Sequence, residues 1–227
     1  MIHRVTGWLA AVLAFGILSW ALLDLPGDPA GLAQEAHRPL EQSGVSNPVT
    51  AVLLNYRGYD TLLEIAVLLL AIVAVWSLRS VSTSSFAEPA GPMLAALLRF
   101  LLPLLLLTSG YLLWIGAFAP GGAFQGGALL GGAIVLILLG GGIRRRLWHR
   151  RGLLRAGLWT GLAVFVAVGL GVMSRGGRFL EYPEGHAGNL ILLIETAALL
   201  SIGLTLGALF FGGRPARECD SPPAADP

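Results

Sequence analysis

The sequence predicts an all-α, polytopic membrane protein of about six transmembrane helices with the N-terminus and the C-terminus both inside. Three observations carry that prediction. The 227 residues are 55% hydrophobic and only 12% charged, against about a quarter charged in an ordinary soluble domain. Six long apolar runs follow one another, separated by polar or Gly/Pro punctuation, and leave no room for a soluble catalytic domain. All fifteen basic residues are arginine, and they gather on alternate loops. A formal charge of +2 arising mostly from one cluster is a topology signal, and it argues against nucleic acid as a partner. The lone Cys219, in the tail, excludes an internal disulfide.

The first run, Val5 to Leu23, has about the 20 residues that cross a hydrocarbon core, longer than the usual signal-peptide h-region, and is read as an anchor. Asp24 to Pro48 follows as a polar loop with Asp24, Asp28, Glu35 and Glu41 against Arg38. The second span ends at Arg79, and counting back about 20 residues puts its outer end near Tyr59. Val49 to Leu54 is then surplus, and is expected to form a short interfacial or re-entrant helix.

A third span is expected from about Phe100 to Phe118, after an amphipathic lead-in from Met93 to Arg99, with Pro103 in its first turn where a missing N–H is harmless. The fourth runs from Phe124 to Gly142, the fifth from Leu154 to Ser174 and the sixth from Asn189 to Phe211. Gly213 to Pro227 has the composition of a disordered tail.

Arginine counts orient the bundle, because cytoplasmic loops carry the positive excess. With the N-terminus inside, eleven arginines lie on inner segments and four, Arg38, Arg57, Arg175 and Arg178, on outer ones. The inner block RRRLWHRR, Arg144 to Arg151, is explained by topology, with an anionic lipid contact as a lesser reading.

Ionisable groups inside a span cost about 2.5 to 3.5 kcal/mol at the helix centre on insertion scales, so the few present are weighed singly. In NYRGYDTLLE, Asp60 and Glu64 stand four apart on one helical face, and Arg57 lies three before Asp60 where it can pair with it. Thr61 supports a polar helix entry. Asp60 falls at the outer interface, where with Arg57 it reads as a solvated cap and anchor, while Glu64 lies about 7 Å deeper. Glu195, in NLILLIETAALLSIG, lies about 9 Å below the same surface. The two glutamates either line an ion route or make interhelical hydrogen bonds. His37, His149 and His186 are too scattered for metal-ligand spacing, and no metal or other cofactor is expected.

GAFAPGGAFQGGALLGG, Gly116 to Gly132, raises a different question. A phosphate-binding loop needs a lysine after its glycines, and the chain has none. In lipid, small residues let helices approach closely, and Gly122, Gly126 and Gly127 with Gly131 fall on one stripe; Gly203 and Gly207 repeat the device in the last span. Pro120 and Gly121 supply the tight turn between spans three and four.

These residues resemble a known family. PLLLLTSGYLLWIGAFAPGGAFQGG, Pro103 to Gly127, is similar to the Pro-led helix with a tyrosine and the PGGGF-x-GG turn of the MnhB/MrpB subunit of multisubunit Na+/H+ antiporters. The second span, from Asn47 to Arg79, resembles a segment near the C-terminus of the large A-type antiporter protein, which is a small separate subunit in membrane-bound hydrogenase complexes. The chain looks like a fusion of the two neighbours. It would divide into residues 1–92, a two-helix unit with the RGYDT-x-x-E segment, 93–212, an MnhB/MrpB-like four-helix unit, and 213–227, a cytoplasmic tail. Arg57, Asp60, Thr61 and Glu64 match the family pattern, and Glu195 falls where its last span commonly has an acid. Ala117 replaces a frequent histidine, Ala123 a third turn glycine and Leu63 the glycine before the segment's glutamate.

The resemblance implies a non-catalytic subunit of a cation/proton antiporter, or of a redox-driven ion pump that reuses its modules, in the cell (inner) membrane. Its partners would be other antiporter-type membrane subunits, membrane lipid and, in a pump, redox subunits, with Na+ or H+ as the transported ion. On one reading Glu64, Glu195, Asp60, Arg57 and Thr61 contribute to the ion path. On the other the chain is purely a structural scaffold.

Overall fold

The computed structural model describes residues 2–24, 40, 43–77, 91–140, 151–183 and 185–211. Most of the arginine block, most of the loop after the first span and the C-terminal tail lie outside these residues. The chain forms two compact units, Met1–Arg38 and Pro39–Pro227. The first contains α1 (Ile2–Leu23), whose large apolar side chains from Val12 to Leu23 are exposed.

The second unit begins with α2 (Pro48–Ala51), which runs into a π-helical turn, Val52–Tyr56. The spans follow as α3 (Gly58–Ser77), α4 (Pro92–Ile115), α5 (Ala123–Leu139), α6 (Arg151–Met173) and α7 (Ala187–Phe211). Helices are the expected solution, because only a helix pairs all its own backbone groups in lipid. Among the described residues four helices are long and apolar enough to cross a membrane, and two shorter apolar stretches lie in α1 and α5. With 17 residues, α5 is about 25 Å long, somewhat under a ~30 Å hydrocarbon core.

The surplus Val49 to Leu54 is helical, as its apolar run implied, but the helix widens into the π turn before ending at Arg57. The third span starts earlier than expected. Met93 to Arg99 is continuous with it, so Pro92 takes the first helical position and Pro103 lies in the interior. There it withholds a hydrogen bond from the carbonyl one turn back.

Helix α7 forms the centre: 61% of its apolar window is buried, against 11% for α4. A helix apolar on every side belongs in such a position. It packs chiefly on α5 and α6, and α4 reaches the bundle through α5. The α5/α7 seam interdigitates. Leu130 and Ile134 of α5 press against Gly203 and Gly207, while Ile202 and Leu206 of α7 press against Gly127 and Gly131. A Cβ on Gly127 would stand 2.9 Å from two atoms of Ile202. Gly126 faces α4 as well, and the Ser109 hydroxyl donates to its carbonyl at 2.8 Å.

The other hydroxyls divide. Thr196 and Thr205 donate to carbonyls one turn back on their own helix, at 2.7 and 2.8 Å, as hydroxyls in membrane helices commonly do. Ser201 instead crosses to α6 and donates to the Leu158 carbonyl at 2.6 Å. A second apolar cluster, with Leu69, Ile72, Leu138 and Leu158, closes the end of the bundle where α3 and α5 finish and α6 begins.

Candidate functional site

The site forms where the α4–α5 turn meets α2, α3 and α7. Helix α4 ends at Gly116, and the Phe118 and Ala119 amides both donate to the Ile115 carbonyl at 2.8 Å. The chain then doubles back until the Gly122 amide donates to Leu112 at 2.7 Å. Gly122 is the N-cap of α5 with φ +109°, a conformation that side-chain-bearing residues rarely adopt. Its missing side chain also makes room: a Cβ there would lie 2.6 Å from Oε1 of Glu195.

Glu195 is only 6% exposed, in the N-terminal half of α7. Its carboxylate accepts a hydrogen bond from the Ala123 backbone N–H. That amide opens α5 and has no partner within its own helix, since the first four N–H groups of any helix are left over. The acid and the helix end thus satisfy each other, with the partial positive charge of the helix N-terminus facing the carboxylate.

The opposite wall comes from α2 and α3. Asn47 caps α2, its Oδ1 accepting from the Val49 amide at 3.1 Å, with Pro48 at the first helical position. Its amide Nδ2 donates to Gly116 and Ala119 carbonyls, each at 2.9 Å, and to the Thr50 hydroxyl at 3.0 Å. Thr50 in turn donates to Gly116 at 2.6 Å, and the backbone amides of Ser46 and Asn47 donate to Ala117. The α4–α5 turn is therefore clamped to the start of α2. The π turn leaves the Leu53 carbonyl to accept from the Thr61 hydroxyl at 2.5 Å.

Between these walls lies a cavity of about 260 Å³. Glu195 and Glu64 both line it, with Thr50, Thr61 and Gln125 among apolar neighbours that include Ile65, Phe124 and Ile194. It has room for several water molecules, each taking ~30 Å³ in the liquid. Glu64 also lines a more open groove of about 730 Å³, whose walls are Leu63, Val67, Leu68, Phe124, Ile202 and Leu206. Arg57 and Asp60 form an ion pair on that groove and do not line the smaller cavity. Glu64 is exposed and Glu195 buried, so the two acids stand at the mouth and in the interior of one space.

The candidate residues thus separate into three sets. Glu64, Thr61 and Glu195 meet at the cavity, and Arg57 with Asp60 sits outside it. Gly126, Gly127, Gly131, Gly203 and Gly207 lie against side chains or backbone of neighbouring helices, whereas Gly122 faces the Glu195 carboxylate. Asn47, Thr50 and Gln125 were not anticipated. The first was detectable, since Asn followed by Pro is a helix-start signature. No cluster of metal-ligating side chains occurs among the described residues.

Residues 93–211 match the model of a domain related to the MnhB subunit of Na+/H+ antiporters. The chain belongs to this family. Solved structures share its fold. A chain of the membrane-bound sulfane sulfur reductase, an archaeal respiratory membrane complex, superposes with a TM-score of 0.69 at 27% identity, covering 93% of this chain and 98% of that one. A chain of the Mrp complex from Dietzia sp. DQ12-45-1b superposes at 0.66 with 25% identity, covering 96% of this chain but 27% of that one.

Among sequences, this MnhB-related protein is 28% identical over 156 residues to an uncharacterised protein of Methanocaldococcus jannaschii, covering 60% of each. It is 26% identical over 213 residues to the A/B-type subunit of a probable K+/H+ antiporter of Rhizobium meliloti, covering 80% of this chain and 21% of the relative. The chain spans less than two thirds of the length of either relative. It is a multi-pass membrane protein of the MnhB-related family, similar to subunits of multisubunit membrane complexes.

Proposed function

We propose that this protein is a membrane subunit of a multisubunit monovalent cation/proton antiporter-type assembly in the cell membrane, and that it lends the assembly part of its ion path. One observation carries the reading: a buried and an exposed glutamate on different helices line one cavity, and the exposed one also lines an open groove. The route runs from the groove, past Glu64, into the cavity and to Glu195. Intramembrane carboxylates are rare because they are costly, and a pair at the wall of a space that can hold water is the arrangement that ion pathways use. Thr61 has its proton engaged by Leu53, leaving its oxygen to serve as an acceptor at the cavity wall.

Arg57 and Asp60 then form the outer rim of the route. Partner subunits are other antiporter-type membrane proteins, which the largely exposed α4 is suited to meet through Leu104, Leu107, Tyr111 and Trp114. Family membership and the likeness to chains of larger complexes support this assignment.

Carbodiimide labelling of the native complex tests it. Dicyclohexylcarbodiimide, an apolar reagent that attacks protonated carboxyls, is expected to modify Glu195, located by peptide mass spectrometry, and Na+ or K+ is expected to protect it. Protection by one cation and not the other identifies the transported ion. Labelling that neither Na+ nor K+ alters would assign the path to protons, and failure of Glu195 to be labelled at all would contradict an ion path at this carboxylate.

A further inference from the structure

The geometry points to the Gly122–Ala123 turn as the positioning device for Glu195, with the Ala123 amide holding the carboxylate in one orientation at the wall of the cavity and Gly122 leaving it the space. This rests on the proposed ion path for its consequence, and on separate observations for its structure. A glycine at 122 is required twice over, by its φ of +109° and by the 2.6 Å that would separate a Cβ from Oε1 of Glu195. The first requirement is that of a turn. The second is a requirement only because the acid is there.

The donor is equally specific to the place. Ala123 is the first residue of α5, so its N–H is spare, and it is given to Glu195. Gly126 continues the helix by donating to the Gly122 carbonyl at 3.1 Å, which leaves the Ala123 amide outside the helix's own ladder. The Asn47 and Thr50 clamp on Gly116 and Ala119 holds the preceding turn, and with it the direction in which Ala123 points. Loss of this hold frees the side chain to rotate about its own bonds, so the acid would reach its neighbour across the cavity from a spread of positions.

Proline at a first helical position keeps the required φ and costs no intrahelical hydrogen bond. Ala123→Pro in the purified complex therefore removes this donor while sparing the helix. Three readouts are expected. The infrared carboxyl band of Glu195, identified as the band lost in Glu195→Gln, shifts. The thermal midpoint of the complex falls in the native background and does not fall in a Glu195→Ala background, where no carboxylate remains to be held. Cation/proton exchange in liposomes slows by roughly tenfold or more, the scale on which misplacement by about an ångström acts.

An unmoved band, or an equal fall of the midpoint in both backgrounds, would overturn the proposal, because the proline would then act on the turn alone. If the Ala123→Pro complex does not assemble, Glu195→Asp decides, since it leaves the turn intact and withdraws the carboxylate by one methylene. Native exchange by an assembled Glu195→Asp complex, with its carboxyl band still in the native place, also overturns the proposal. Native exchange by Glu195→Gln is a different failure. It removes the ion path and leaves the hydrogen bond to be read from the band and the midpoints.

Discussion

Gly127→Leu is expected to abolish recovery of the folded subunit, while Gly132→Leu, five residues along the same helix, is expected to be tolerated. At position 127 a Cβ alone would meet Ile202 at 2.9 Å and the Leu199 backbone carbonyl at 3.2 Å, whereas nothing lies within 4 Å of a Cβ at position 132. Ile202 is buried at 3% exposure, and a backbone carbonyl has no rotamer to change. The side chain can be housed only by separating α5 from α7, which also withdraws Leu130 and Ile134 from Gly203 and Gly207. Overpacking by single methylenes already costs about 1 to 3 kcal/mol, and a whole leucine at a seam exceeds about 4 kcal/mol. The yield of intact complex in detergent measures this. Equal yields for the two variants would defeat the packing account.

Asn47→Ala is expected to lower the stability of the complex by about 2 to 4 kcal/mol, the sum of a lost N-cap of about 1 kcal/mol and an unsatisfied, half-buried carbonyl at about 1 to 3 kcal/mol. The orphan is Ala119, because Gly116 keeps its bond from Thr50. Asn47→Asp separates the two parts: it retains an acceptor for the Val49 amide and loses both donors of Nδ2, so it restores the cap and not the clamp. The thermal midpoints of the three complexes are expected in the order native, Asp, Ala, and the step between Asp and Ala measures the cap. A midpoint for Asn47→Ala equal to the native value would mean that α2 does not hold the turn.

The spans were legible because hydropathy reports burial in lipid directly, and the widths of α3, α6 and α7 follow from it within a few residues. The start of α4 was not, since Met93 to Arg99 is amphipathic and continues smoothly into the apolar run. Pro103 then looked like a helix start when Pro92, hidden behind a polar segment, holds that place. The site was legible in parts. Both glutamates stand out as acids in apolar sequence, and so does the glycine-rich turn. The relation between them was not readable: Gly122 and Glu195 are far apart in the chain and meet only through the fold, so the glycine looked like part of a packing stripe. Asp60 and Glu64 show the opposite limit. Helical spacing puts them on one face, yet Asp60 is held by Arg57 on the open groove while Glu64 also reaches the cavity.

The depth of burial separates two acids that the sequence left equal. Glu64, in the denser polar segment, is exposed to the groove, and Glu195, isolated among leucines and alanines, is the enclosed acid with a dedicated backbone donor. The most direct measurement is therefore cation/proton exchange by liposomes carrying the purified complex with Glu195→Gln. Glutamine keeps the size of the side chain and an acceptor for the Ala123 amide, and removes only the exchangeable charge. Exchange is expected to fall by roughly a hundredfold, the lower range of what a positioned proton-transfer group contributes, with the subunit composition unchanged. Exchange at the native rate by the intact variant complex would contradict the account.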